Sequence, residues 1–381
     1  MNIGIMCLGT HRHIAWRLYK ILRTNHKITL LVSHEVFDVI EQRVGITEHT
    51  HCLIKPEQER LFSYLRRINN ENYATPDFVV NVGMYHSYPI GYLLHYIFKP
   101  NTRLLVYINT ADSWLGPLPR YNNNVRLRTV VRQNSKALAK RIALSRFDGI
   151  LVELPTIQSY ITSELGYSKI PVRTFQPTYL IDGSINQDCD LIRFVIPGSV
   201  TSTRRDYDTI VEILHDLTNK HSTKFQVSFL GRVKDDRFIK KFESLISKGC
   251  KLQYYHTDQW ISPEEFEYQM SNSDVVLLPQ RYYKSELFNE IYGRTGGTGG
   301  VSEAIMHAKP IILPDYFPNV ESIETSTIWY DGRTNLHQIM TSIIEDSEWF
   351  QKYKQEAIIN AQAFTLDNQS ARFTKLLHEL N

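Results

Sequence analysis

The chain has 381 residues, more than one hydrophobic core usually organises, so its length predicts two domains. Hydrophobic residues make up 42% and charged residues 22% of the chain, and these proportions exclude a disordered or fibrous protein. The formal net charge of +3 is too small to indicate nucleic-acid binding, and the sequence carries no recognised nucleic-acid-binding motif.

The first half of the chain alternates short apolar runs with helical stretches, which is typical of an α/β protein with a parallel sheet. The runs lack in–out alternation, as expected of strands covered on both faces. Strands are predicted at residues 3–8, 28–32, 78–82, 104–108, 149–152 and 172–175. They define a first domain over residues 1–181, and the polar, turn-forming residues 182–190 predict a linker.

The alternation restarts after the linker and predicts a second domain over residues 191–360. Strands are predicted at residues 192–197, 226–230, 252–255 and 274–278, and a helix at residues 207–217. Ser262 and Pro263 followed by Glu265 form the start signal of a further helix. The stretch 348–380 is predicted to be helical, and residues 361–381 are assigned to a C-terminal helix.

Residues 120–146 carry eight basic side chains and no acidic one. Apolar residues lie between the charges, a pattern that fits an anionic membrane surface or a lipid-diphosphate acceptor. The alternative is a helix with one solvated charged face, which is the commoner role of a charge run. The basic residues are Arg120, Arg126, Arg128, Arg132, Lys136, Lys140, Arg141 and Arg146.

A glycine-rich segment, Thr295-Gly296-Gly297-Thr298-Gly299-Gly300, is followed by a short apolar helix. A glycine turn that opens a helix presents free backbone N–H groups and the positive end of the helix dipole, which together bind phosphate. Glu303 is predicted to lie in the first turn, where it could accept hydrogen bonds from a ribose. The alternative is a flexible surface turn, because the segment matches neither the P-loop nor the dinucleotide fingerprint.

Four cysteines, Cys7, Cys52, Cys189 and Cys250, are scattered without paired spacing, which predicts a reduced cytoplasmic compartment and no disulfide framework. No basic segment precedes the first predicted strand, so no signal peptide is expected. The longest apolar stretch, residues 88–98, is shorter than the roughly 20 residues that a membrane span needs.

The glycine turn, Ser302-Glu303-Ala304, a short helix, Lys309-Pro310 and an apolar strand ending at Pro314 resemble the donor-site signature of GT-B glycosyltransferases, in particular the retaining group 1 (family 4-like) branch. The resemblance implies two Rossmann-like domains facing across a cleft, with the C-terminal helix crossing back to the first domain. It implies a nucleotide-sugar donor, most often linked to UDP or GDP. The donor-binding residues would be Gly198, Ser199, Gly296, Gly297, Thr298, Gly299, Gly300, Val301 and Glu303.

Arg204 and Arg205 follow the first strand of the second domain, at the sheet edge where ligands of open α/β sheets bind. Paired arginines can neutralise a diphosphate, and the resemblance implies that they stabilise the leaving nucleoside diphosphate without a metal or other cofactor and with retention. The alternative is that one arginine is a solvated helix-start residue. Asp188 and Asp190 mimic a metal-binding Asp-x-Asp, but they lie in the linker, so no metal site is predicted.

On the acceptor side, the resemblance points to residues that follow strands of the first domain. His86 and Asp112 are predicted to be catalytic, near the transferred sugar and the acceptor hydroxyl. A single histidine in a loop more often serves only as a hydrogen-bonding group, so the prediction depends on several such residues meeting at one sheet edge. The acceptor-side residues would be Gly9, His11, Arg12 and His13.

One departure from the family pattern bears on activity. Group 1 transferases carry two glutamates separated by seven residues, but the position that precedes Glu303 by that spacing is Thr295. Glu290 could substitute, or be a plain surface residue. The sequence predicts a glycosyltransferase of polysaccharide synthesis, cytoplasmic and attached peripherally to the membrane. The alternatives are a non-catalytic glycosyltransferase-like subunit and a nucleotide-sugar 2-epimerase.

Overall fold

The computed structural model describes residues 1–70, 76–83, 102–118, 126–181, 183, 191–233, 235–256, 261–284 and 289–380. They form two compact units. The first unit comprises Met1–Pro177, Lys284–Gly297 and Leu366–Asn381, and the second comprises Thr178–Tyr283 and Thr298–Thr365. Each unit is built on one parallel sheet, which confirms the predicted α/β class with two Rossmann-like domains.

The first unit has a seven-stranded parallel sheet in the order β3-β2-β1-β4-β5-β6-β7. The strands are β1 (Asn2–Cys7), β2 (Lys27–Ser33), β3 (His51–Lys55), β4 (Phe78–Gly83), β5 (Arg103–Tyr107), β6 (Gly149–Val152) and β7 (Val172–Thr174). The helices are α1 (Arg12–Leu22), α2 (His34–Val44), α3 (Leu61–Asn70), α4 (Leu127–Leu144) and α5 (Pro155–Ser159), and a π-helical turn follows at Tyr160–Glu164.

Burial explains why the strands of this sheet could be predicted. All six residues of β4 and all four of β6 are buried, so both faces demand apolar side chains. The strand β3 lies at the edge of the sheet and contains His51, Cys52 and Lys55, so its sequence lacks that signal. Among the described cysteines, Cys7, Cys52 and Cys250 are free thiols.

The second unit has a six-stranded parallel sheet in the order β10-β9-β8-β11-β14-β15. Its strands are β8 (Ile192–Pro197), β9 (Phe225–Arg232), β10 (Lys251–Tyr255), β11 (Val275–Leu277), β14 (Ile311–Pro314) and β15 (Thr327–Tyr330). The strands β12 (Tyr283–Lys284) and β13 (Asn289–Glu290) form a separate two-stranded sheet, and β13 belongs to the first unit. The helices are α6 (Tyr207–His221), α7 (Asp236–Ser247), α8 (Pro263–Ser271), α9 (Gly299–Met306), α10 (Arg333–Glu345) and α11 (Ser347–Gln362), with a 3-10 turn at Glu321–Ser326.

Aromatic packing and helix caps hold the second unit together. Phe229 of β9 stacks on Phe242 of α7, with ring centroids 4.4 Å apart. Ser262 caps α8 by accepting a hydrogen bond from the Glu265 N–H (3.1 Å), the predicted start of that helix. In the same unit α7 contacts β10 and α8 contacts β9.

The helical stretch predicted over residues 348–380 is divided in the structure into α11 and α12 (Leu366–Glu379). Phe364 is buried in the break, and its carbonyl accepts a hydrogen bond from the Leu180 N–H (2.8 Å). The helix α11 belongs to the second unit and α12 to the first. In the first unit α12 packs against α1, where Asn25 Nδ2 donates to Ser370 Oγ (2.9 Å).

Candidate functional site

The strand order in each unit locates a topological switch point. Successive connections turn in opposite directions on either side of β1 in the first sheet and of β8 in the second. Ligands of open α/β sheets bind at such a switch point, beyond the carboxyl ends of the strands. The segment after β1 contains Gly9 and His11, and the segment after β8 contains Gly198 and Arg204. The structure therefore places the predicted acceptor-side and donor-side loops at the switch points of their own units.

The loop after β8 is held tightly against the end of β9. Gly198 has a φ of 102°, in the left-handed region that favours glycine, and its N–H donates to the Leu230 carbonyl (3.1 Å). A Cβ at Gly231 would overlap the backbone of Gly198, so the two glycines allow the loop and strand to touch. The path of residues 198–200, including the predicted donor residue Ser199, is fixed by backbone contacts.

The two predicted arginines have different environments. The Arg205 guanidinium donates to the Pro197 carbonyl and to the Tyr207 hydroxyl (3.0 Å for the latter). It also fills the space where Gly198 lacks a Cβ. Arg204 is exposed. Arg205 therefore holds the loop in shape, and Arg204 is the one whose side chain faces solvent.

A third arginine at this edge, Arg281, was missed by the sequence analysis. Its guanidinium forms an ion pair with Asp206 (2.7 Å) and donates to the Ser202 carbonyl (3.1 Å). Its backbone N–H donates to the Arg204 carbonyl (3.0 Å). Burial raises the pKa of Asp206, but hydrogen bonds from Arg281 and Thr209 outweigh it, so the pKa is lowered. The position of Arg281, shortly after β11, was the available signal.

The helix α9 was predicted to follow the glycine-rich segment, but it begins within that segment. Thr298 is the N-cap residue and forms no side-chain cap, and the helix proper begins at Gly299. The Thr298 hydroxyl accepts a hydrogen bond from Gln280 Nε2 (3.3 Å). Gln280 is 3% exposed, and its Oε1 has no hydrogen-bond partner among the described residues. A buried acceptor thus lies at the start of α9, where the first N–H groups of a helix have no carbonyl one turn back to bind.

The prediction that Glu303 lies in the first turn of this helix is wrong. Because α9 begins at Gly299, Glu303 is its fifth residue and lies in the second turn. It is half-buried there, and its carbonyl accepts the His307 N–H (3.1 Å). Glu303 lies about one turn further along the helix than the N–H groups at its start. A ribose bound by Glu303 would therefore lie apart from a phosphate bound at the helix start.

Substituting the two adjacent glycines of α9 should give opposite results. A Cβ at Gly299 would have no atom within 4 Å, whereas a Cβ at Gly300 would lie 2.5 Å from Leu278 Cδ2. We expect Gly300→Ala to lower the unfolding free energy by about 1–3 kcal/mol through overpacking. Gly299→Ala should leave stability unchanged or raise it by about 0.5–1 kcal/mol.

Nucleotide binding provides the second measurement on the same pair. If phosphate approaches the α9 N–H groups, the new methyl of Gly299→Ala should obstruct it and weaken UDP or GDP binding by about tenfold, a change of about 1.4 kcal/mol. Thermal unfolding without nucleotide and titration with nucleotide distinguish the two effects. Wild-type nucleotide affinity in Gly299→Ala would contradict a phosphate site at this helix start.

The first two glycines of the segment belong to the first unit. The Gly297 N–H donates to the Asn109 carbonyl (3.1 Å), and Gly296 forms a β-bridge with Thr110. A Cβ at Gly297 would overlap the carboxylate of Glu153. Gly296 and Gly297, both predicted to bind donor, are therefore glycines because backbone and carboxylate approach them closely.

Thr295, which stands where the resembled family has its first glutamate, is committed to structure. It is 1% exposed, its hydroxyl accepts the Ile291 N–H (2.9 Å) and its carbonyl accepts the Ala111 N–H (2.7 Å). Thr295 is thus held by packing and hydrogen bonds within the first unit. Glu290 lies in β13, five residues before Thr295.

The polar residues of the loop after β1 differ from one another in their surroundings. His11 has a φ of 72° and accepts a hydrogen bond at Nδ1 from Asn109 Nδ2 (2.5 Å). Arg12 and His13 are exposed, and Arg12 lies 3.9 Å from Glu35. His11 is thus brought to the residues that follow β5, and His86 lies outside the described residues.

Asp112 is 4% exposed and accepts a hydrogen bond from the Tyr160 hydroxyl (2.5 Å). Burial and then this hydrogen bond raise the pKa of Tyr160. Two residues at nearby strand ends were missed by the sequence analysis: Tyr107 at the end of β5 and Glu153 directly after β6. Tyr107, the last residue of β5, has a buried hydroxyl without a hydrogen-bond partner among the described residues. Burial and then the charge of Glu153 raise its pKa.

Within the described ranges, no three His, Cys, Asp or Glu side chains are grouped so that they could hold a metal ion. The expectation that sugar transfer needs no metal stays a prediction. The second unit carries backbone donors, arginines and a carboxylate at its switch point, and the first unit carries His11, Asn109, Asp112 and Glu153 at its own.

No protein-family model matches the chain, and no curated protein matches it. Solved structures do match along the whole chain. A glycosyltransferase from Rickettsia africae ESF-5 has a TM-score of 0.64 at 12% identity, covering 100% of this chain and 98% of that one. The Anabaena protein Alr3699/HepE, in complex with UDP and glucose, has a TM-score of 0.60 at 12% identity, covering 99% of each chain.

A third match is a Listeria monocytogenes protein described as a UDP-N-acetylglucosamine 2-epimerase, with a TM-score of 0.59 at 12% identity, covering 99% of this chain and 96% of that one. Such identities establish the fold alone. The chain has a GT-B glycosyltransferase-like fold, as the resemblance of its glycine-rich segment predicted.

Proposed function

We propose that this protein is a glycosyltransferase that moves a sugar from a nucleoside-diphosphate donor to a glycan or lipid-linked acceptor. One observation carries the proposal: the second unit brings the open start of α9 and the arginine loop together at one sheet edge. Gln280 contacts Thr298 of α9, and the neighbouring Arg281 binds the backbone of Arg204. Positive charge and free N–H groups at a switch point fit a diphosphate.

The chemistry follows from charge. Breaking the bond between the sugar and the phosphate builds negative charge on the departing diphosphate, and fixed N–H groups and Arg204 stabilise that charge. Glu303 would hold the ribose. Transfer with retention and without a metal is part of the proposal, supported by the resemblance of residues 295–314. UDP is favoured as the nucleotide, because the Anabaena structure holds UDP.

On the acceptor side, His11 and Asp112 would lie near the reacting sugar. The tight turn at His11 and the hydrogen bond from Tyr160 to Asp112 keep both side chains in defined positions. The role in cell-surface polysaccharide synthesis, the cytoplasmic location and the peripheral attachment to a membrane also belong to the proposal.

A non-catalytic glycosyltransferase-like subunit is the second candidate. The observation that favours it is Thr295, which is buried and hydrogen-bonded at the position of the family's first glutamate. Such a subunit would bind nucleotide or glycan without transfer. A nucleotide-sugar 2-epimerase is the third, favoured by the structural match to the Listeria protein.

A donor panel distinguishes these functions. UDP-, GDP-, ADP- and dTDP-sugars would be screened by thermal shift, and release of the nucleoside diphosphate followed in the same samples. Stabilisation with slow diphosphate release supports the transferase. Stabilisation without release favours an acceptor-dependent transferase or the non-catalytic subunit. Interconversion of two UDP-sugars identifies an epimerase, and no stabilisation by any donor contradicts the nucleotide site.

Replacing Glu303 by alanine tests the ribose contact. Hydrogen bonds to a charged group contribute about 1.5–3 kcal/mol each, so we expect Glu303→Ala to weaken binding of the free nucleoside diphosphate by about 10- to 100-fold. Calorimetric titration measures this change. Glu321→Ala, a change of an exposed glutamate in the same unit, is the control. Unchanged affinity in Glu303→Ala would contradict the placement of the ribose.

A further inference from the structure

The helix α4 divides its residues unequally between the interior and the surface. Val130, Ala137, Ala143 and Leu144 are buried on its inner face. Four large apolar side chains are nevertheless exposed, by 64, 56, 55 and 45% respectively, at Leu127, Val131, Leu138 and Ile142. At 3.6 residues per turn, these four positions fall within an arc of about 60° on one side of the helix. We call them the apolar stripe.

The basic residues of this region are not equivalent. Lys140 is 9% exposed, and its ammonium group donates to the Ser113 carbonyl (3.1 Å). The Arg141 guanidinium donates to the Gly116 carbonyl. Both side chains are therefore engaged within the first unit. The exposed arginines beside the apolar stripe are Arg126, Arg128 and Arg132.

We propose that the apolar stripe of α4 inserts into the interfacial region of an anionic lipid bilayer, with Arg126, Arg128 and Arg132 at the level of the headgroups. The inference deepens the peripheral attachment in the proposed function and rests on it. Beyond charge attraction, the inference holds that burial of the apolar stripe in the bilayer is what keeps the protein on the membrane. No helix in the described part of the chain is long and apolar enough to cross the bilayer.

Three observations favour a lipid surface as the occupant. The stripe runs from position 127 to position 142, about 22 Å along a convex helix face, which suits a planar surface. Residues 120–146 contain no acidic side chain, so the charge is complementary to anionic headgroups. Apolar residues on one side with arginines beside them are the pattern of helices that lie in the membrane plane.

The experiment uses the full chain and vesicles of phosphatidylglycerol and phosphatidylcholine, with flotation at about 0.1 M and about 1 M NaCl. At 1 M the Debye length is about 3 Å, so attraction between exposed charges is screened. We expect the wild type to float at both salt concentrations. The quadruple variant Leu127→Ser, Val131→Ser, Leu138→Ser and Ile142→Ser should partition at least about tenfold less at both.

The matched control is Ile246→Ser with Ile359→Ser, which removes exposed apolar side chains of the second unit and should float like the wild type. A single Leu138→Trp variant supplies a spectroscopic test. Its tryptophan fluorescence should shift to the blue and be quenched by brominated lipids when vesicles are added. Donor thermal shifts of all variants without vesicles should match the wild type.

Complete release of the wild type at 1 M NaCl would overturn the insertion and leave only electrostatic attachment. Equal flotation of the quadruple variant and the wild type would overturn it as well. A dimer in solution that dissociates in the quadruple variant would show instead that a second copy covers the stripe. Loss of donor-induced stabilisation in the wild type would contradict the proposed transfer function and not this inference.

Discussion

Arg204→Ala should lower kcat by about 10²- to 10³-fold, the loss typical of removing one fixed donor to a developing anion. Arg204 is exposed at the switch point of the second unit, so its removal should leave the unfolding temperature unchanged. The nucleotide affinity of the ground state should fall much less than kcat, because the charge on the diphosphate grows as the sugar departs. Donor turnover and calorimetric titration measure the two quantities separately.

Arg205→Ala should behave in the opposite way. Its guanidinium donates to the Pro197 carbonyl and the Tyr207 hydroxyl, so its loss leaves acceptors without a donor and a gap beside Gly198. We expect a loss of about 1–3 kcal/mol of unfolding free energy. Because Arg205 acts by holding the loop, the turnover of Arg205→Ala should fall only to the extent that the loop changes conformation.

Two controls sharpen the comparison. Arg204→Lys keeps the charge but loses the planar fork, so it should recover part of the turnover. Arg237→Ala removes a solvent-exposed arginine of α7 that pairs with Asp235, and it should change neither turnover nor stability appreciably. If Arg204→Ala lowered the unfolding temperature as much as Arg205→Ala, the division of roles between the two arginines would be wrong.

The sheets could be predicted because burial on both faces leaves a plain signal in sequence. Central strands such as β4 and β6 are buried throughout and, apart from Asn81, lack polar side chains, and their boundaries were predicted within a residue. The strand β3 was missed because it carries His51, Cys52 and Lys55 at a sheet edge and so lacks the apolar signal. The strand β15 was missed although three of its four residues are buried.

The candidate site was only partly predictable. The switch-point rule located the loop containing Gly198 and Arg204, because that rule needs only the end of a strand. It could not separate Arg204 from Arg205, since side-chain direction is absent from the sequence. Glu153 and Arg281 were missed because the sequence does not show side-chain contacts. Each is a single polar residue in the segment after a strand, and its significance depends on which residues the fold packs against it.

The glycine-rich segment shows how one motif can serve two structural purposes. Gly297 is required by the close approach of Glu153 and Gly300 by that of Leu278. Only Gly299 is open, so the sequence pattern alone overstated how many glycines can face a phosphate. The number of glycines in a loop indicates close packing as readily as it indicates ligand binding.

Gly231→Ala should be among the most destabilising single changes in the second unit. The added Cβ would overlap the carbonyl group of Gly198 and lie 2.6 Å from the Ser199 nitrogen. Backbone atoms cannot rotate away as a flexible side chain can, so β8 and β9 must separate where the Gly198 N–H binds the Leu230 carbonyl. We expect a loss of about 3 kcal/mol, at the upper end of the cost of overpacking.

Because β9 also holds the loop that carries Arg204, the same change should weaken donor binding along with stability. Scanning calorimetry measures the effect, and the transition that nucleotide shifts upward identifies the second unit. The matched control is Gly299→Ala, where the added Cβ has no atom within 4 Å and no loss of stability is expected. An unfolding temperature of Gly231→Ala equal to that of the wild type would show that the loop is not held against β9, and would remove the physical basis for fixing Arg204 at the sheet edge.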